Sequence, residues 1–170
     1  MDLSDSYDNW VGRFDLACAS KSKVGFILSA FFIGWISTLI FIPRFSDLYG
    51  RSHLIKIASF IHLFAYGVIM VTRNYAVLIA CMFTFGAMAT IRAQVVILYL
   101  YENMSKKNYT MTYAGISILE GFVAVGAALY FMYASKNWIW LGLIGWVMQA
   151  CGGIMTLMFN ESPTFLIKSG

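Results

Sequence analysis

Two groups of ionisable side chains stand out in a chain that is 60% hydrophobic and only 12% charged. The first lies in IFIPRFSDLYGRSHLIKIASF, where Arg44, Asp47, Arg51, His53 and Lys56 fall within about four helical turns, between apolar runs. Opposite charges at such a junction can form a reversible ion-pair contact, or can simply stop helices at a membrane interface. The second group is Arg92 and Glu120, each well inside an apolar run. One unpaired charge there costs about 2.5–3.5 kcal/mol on insertion scales, so each requires a partner, a solute or an interface. Helical spacing puts Phe85, Met88, Arg92, Val96 and Tyr99 on one stripe, and Tyr113, Ser117, Glu120, Ala124 and Ala127 on another. Three readings stay open: an Arg92–Glu120 salt bridge between adjacent helices, a polar cavity where Arg92, Glu120, Tyr99, Tyr113 and Ser117 contact solute or proton, and snorkelling to an interface. His62 is expected to be packed and hydrogen-bonded rather than a proton relay. Gln94 is expected to point away from the Arg92 stripe and to bond to a neighbouring helix.

The elements that must position these residues follow from composition. Soluble domains carry about 25% charged residues, twice the fraction found here. With a mean hydropathy of +0.72, the chain is expected to be an all-α, polytopic membrane bundle. A hydrocarbon core about 30 Å thick needs about 20 helical residues. Five runs meet that length, at 24–42, 54–72, 75–101, 110–134 and 138–159. VGFILSAFFIGWISTLIFI does not alternate as a barrel strand would. Short connectors predict antiparallel neighbours, with Trp138 and Trp140 at the headgroup belt. Residues 1–23 are expected to form a non-cytoplasmic segment without a cleavable signal, 24–160 the bundle, and 161–170 a cytoplasmic tail. Arg44, Arg51, Lys56, Lys106, Lys107 and Lys168 cluster on one side, which favours that side as cytoplasmic. Close helix packing is expected at Gly115, Gly121, Ala124, Gly126 and Ala128, and at Gly142, Gly145, Gly152 and Gly153.

Several classes are disfavoured. The charge of +4 is scattered and forms no basic stripe, which argues against nucleic-acid binding. Cys18, Cys81 and Cys151 lack metal-ligand spacing. No phosphate-binding loop, dinucleotide turn or nucleophile–base pair is present. Neither enzymatic activity nor a cofactor or metal is expected. The expected surroundings are a lipid bilayer and a small organic solute.

PRFSDLYGRS resembles the loop between the second and third helices of major facilitator superfamily transporters, with Asp47, Gly50 and Arg51 matching and Ser46 fitting the organic-ion branch. Pro43, Leu48 and Ser52 depart from the pattern. FGAMATIRAQVVILYLYE keeps the family spacing from Gly86 to Glu102, NESPTFLIKSG is similar to the segment after the sixth helix, and FDLACAS to that before the second in organic-ion transporters. The resemblance implies helices two to six of an N-terminal half. The remaining helices would come from a longer product or from partner subunits. It also implies alternating access, with Asp47, Gly50, Arg51, Glu102 and Glu161 in a cytoplasmic gate. Tyr109 stands where the family has an arginine. A non-transporting scaffold subunit is the alternative. The same topology predicts that the glycosylation-type triplets at Asn103, Asn108 and Asn160 stay unmodified.

Overall fold

The computed structural model describes residues 20–134 and 137–158. Glu161, most of the expected N-terminal segment and the whole expected tail lie outside the described residues. Five long helices follow one another: α1 Lys21–Tyr49, α2 Arg51–Val71, α3 Tyr75–Asn103, α4 Tyr109–Leu129 and α5 Trp138–Thr156. Each belongs to a segment long and apolar enough to cross a membrane, and no strand is present among the described residues. Sequence-readable stops account for several ends. Asn74 and Asn137 each accept, through the side-chain oxygen, the backbone N–H two residues on, at 2.9 Å. These caps satisfy donors that a helix start leaves unpaired.

The charged segment near residue 50 is not the polar turn expected from the sequence. α1 continues through Pro43 to Tyr49, and the chain reverses at Gly50 alone. Proline inside a spanning helix is tolerated where neighbouring groups re-satisfy the freed backbone. Gly50 has φ 84° and ψ 151°, the one positive φ found among the described glycines. Only glycine adopts this region without steric penalty.

α1 and α3 make the most extensive contact, and glycine is the reason. A Cβ placed on Gly34 would lie 2.1 Å from the Phe83 carbonyl oxygen, and one on Gly86 would lie 2.1 Å from that of Phe31. The two backbones therefore touch at reciprocal positions, where van der Waals packing and not a hydrophobic drive joins helices in lipid. The fully buried Thr90 adds a polar link. Its hydroxyl is 3.1 Å from the Gly86 carbonyl of its own helix and 3.2 Å from the Trp35 carbonyl across the crossing. α2 packs against α3 through Ile55, Ala58, Ile91 and Val95, with Ile42 of α1 joining the same cluster. α5 rests on α2, where the Trp146 indole N–H donates to the Leu63 carbonyl at 3.2 Å.

The close packing expected of the later glycines is largely absent. Nothing lies within 4 Å of a Cβ on Gly115, Gly121, Gly126, Gly152 or Gly153, while Gly142 and Gly145 meet the side chains of Met70 and Tyr66. α4 contains no buried residue and makes its main contacts with the turns that flank it. Small residues permit approach but do not choose the neighbour; the crossing at Gly34 and Gly86 does that here.

Candidate functional site

Two polar constellations emerge. The first sits where α1, α2 and α3 meet beside Gly50. Because α2 starts immediately after the glycine, Arg51 occupies its first turn, and Glu102 lies in the last turn of the antiparallel α3. The Arg51 guanidinium and the Glu102 carboxylate form an ion pair, with side chains 12% and 15% exposed. Partial burial strengthens such a pair relative to one in water, and raises the cost of leaving either member alone. Asp47 falls near the end of α1; its side chain is outside the described residues. Tyr109, which replaces the family's arginine, stacks on Tyr101 with ring centroids 4.6 Å apart and donates its hydroxyl to the Tyr101 carbonyl at 2.5 Å.

The second constellation lies within the spans. Arg92 on α3 donates from Nη1 to the Gln149 Oε1 on α5 at 2.5 Å, and the same nitrogen is 3.3 Å from Nδ1 of His62 on α2. His62 is 6% exposed and its ring stacks on Phe85, centroids 4.0 Å apart. One guanidinium therefore ties three helices together. His62 meets the expectation of a packed, hydrogen-bonded histidine.

Of the readings open for Arg92 and Glu120, the salt bridge between them is not formed. Glu120, Tyr113 and Ser117 are exposed on α4, which the other helices do not cover. Sequence adjacency of helices did not make them packing partners. Tyr99 is also redirected: it packs against the Ile42, Ile55, Ala58, Ile91 and Val95 cluster instead of lining a cavity with Arg92. Gln94 is exposed and borders a cleft of about 310 Å³ with Pro43, Ser46 and Tyr101. Gln149 was missed. Its signal was available, since a lone amide inside WLGLIGWVMQACGGIM needs a partner as surely as a charge does.

The five apolar helices mark an integral, multi-pass membrane protein. The family model for sugar (and other) transporters matches residues 3–170. The chain belongs to that family, within the major facilitator superfamily. No curated protein matches it.

Proposed function

We propose that the chain moves a small organic solute across a membrane by alternating access, with the Gly50 end as its cytoplasmic gate. The observation that carries this reading is the Arg51–Glu102 pair, which bridges α2 and α3 beside a one-residue link between α1 and α2. A gate needs a contact whose made and broken states differ by only a few kcal/mol. A partly exposed pair fits this better than a sealed one, because water can take up both charges when it opens. Asp47 and Glu161 are assigned to the same gate through their motifs. The other helices of a two-half transporter, from this product or a partner, complete the path. Glu120, Tyr113 and Ser117 on the uncovered α4 are available to such helices.

The test is uptake of radiolabelled organic ions and sugars into proteoliposomes by the full-length product. Arg51→Glu and Glu102→Arg alone are each expected to remove most of the uptake, roughly tenfold or more, since each leaves two like charges face to face. The double reversal is expected to recover a substantial part. A double variant no better than either single one would show that the pair is not the gate.

The proposed sidedness has its own check. Cysteines introduced at 47 and 162 are expected to react with an impermeant maleimide from the same, cytoplasmic, face. Labelling from opposite faces would remove the gate assignment.

A further inference from the structure

The cluster at Arg92 is unbalanced in charge and in hydrogen-bonding capacity. A guanidinium has five N–H donors and no acceptor. Since Arg92 must donate, Nδ1 of His62 accepts and the imidazole proton sits on Nε2. Gln149 spends its oxygen on Arg92, and its Nε2 is buried without a hydrogen-bond partner among the described residues. Three side chains from three helices therefore leave donors over: the other guanidinium N–H groups, the Gln149 amide and the His62 Nε2–H. None of the described carboxylates pairs with Arg92: Glu102 is held by Arg51, and Glu120 is exposed on α4. Among the described residues, a full positive charge within the spans is met by neutral acceptors alone, although intramembrane charges ordinarily find an opposite partner.

We infer that the Arg92–Gln149–His62 cluster is the seat for an anionic group, and that the solute carried is an organic anion of the carboxylate type. The inference rests on the transport reading above and narrows it. A carboxylate offers two oxygens that accept side by side from a guanidinium, and its remaining lone pairs suit the amide and imidazole donors. A neutral polyol could use the donors but would leave the charge unanswered. A cation would face Arg92 directly. Arg92 is half-buried, so the cluster is reachable without taking the helices apart.

Binding is measured on the full-length product in phosphatidylcholine nanodiscs, which contain no anionic lipid to compete for the seat. The probes are matched sets on benzene and naphthalene rings: carboxylate, amide and amidinium. The carboxylate is expected to bind saturably and at least roughly tenfold tighter than its amide or amidinium, the scale of one charge-assisted hydrogen bond. Gln149→Glu brings a carboxylate to Arg92 from within. It is expected to abolish the carboxylate preference while raising the thermal stability of the ligand-free protein. Arg92→Gln should lose the preference as well, and Gln149→Glu keeps the test sharp if that variant does not fold. Preference for the amide or amidinium, or carboxylate binding untouched in Gln149→Glu, would overturn the inference. Uptake confined to cations or sugars would also overturn it, leaving transport standing. Absence of uptake across all three classes by the unmodified protein would instead remove the transport reading.

Discussion

Gly86→Ala is expected to unfasten α1 from α3, and Gly34→Ala to do the same from the other side. The new methyl would sit 2.1 Å from a backbone carbonyl oxygen in either variant, and a carbonyl within a helix cannot rotate aside as a side chain can. Overpacking a core typically costs about 1–3 kcal/mol and occasionally more; a backbone obstacle puts these variants at the upper end. Either the helices separate, which also breaks the Thr90 bond to Trp35, or the crossing shifts and disturbs the clusters on α3. Thermal unfolding in detergent, followed by the monodisperse fraction, reads the loss. Gly121→Ala is the matched control. Nothing lies within 4 Å of its Cβ, and alanine is the better helix former by about 0.8–1 kcal/mol in soluble hosts. The control is expected to match or slightly exceed the unmodified protein. Equal stability of Gly86→Ala and Gly121→Ala would refute the backbone contact.

Gly50→Ala has the second large effect, and it is conformational. With φ 84° and ψ 151°, the residue lies where a side chain costs on the order of 1–3 kcal/mol. Asparagine often substitutes for glycine in the left-handed helical region, but ψ 151° is far from that region. Gly50→Asn is therefore expected to be no better than Gly50→Ala. If asparagine restores stability, the junction has another geometry. Both variants should also weaken the Arg51–Glu102 pair, because Arg51 is the residue that the turn aims.

The contrast between these glycines shows how much of the molecule was legible beforehand. Five spans were readable because bilayer thickness fixes a minimum length for an apolar helix, and Gly50 was marked by its place in the PRFSDLYGRS motif. Gly34 was not singled out, and Gly86 stood out only as the start of the family spacing to Glu102, not as a packing contact. Which glycine touches a neighbour depends on the rotation and crossing of two helices, and one strand of sequence does not contain those. The Arg51–Glu102 contact was legible through its motif, as both residues flank short connections at one end of antiparallel helices. Arg92 was legible as a charge in need of company, but its company was not. Glu120, the opposite charge on the next helix, was one of the open readings, whereas packing brings α2 and α5 to Arg92 and leaves α4 aside. Tyr99 followed the same stripe as Arg92, yet the pull of the Ile55 and Val95 cluster near the end of α3 decides its place.

The meeting of α1 and α3 also has mechanical meaning. Two helices whose main chains abut cannot slide or roll without collision, so they behave as a single stiff beam. α2 is held to that beam at several points: the Gly50 link, the Arg51–Glu102 pair, the buried Ile55 and Ala58 against Ile91 and Val95, and His62 against Arg92. Among the described helices, relative motion therefore falls first on α4, which contains no buried residue, with the beam as the fixed reference.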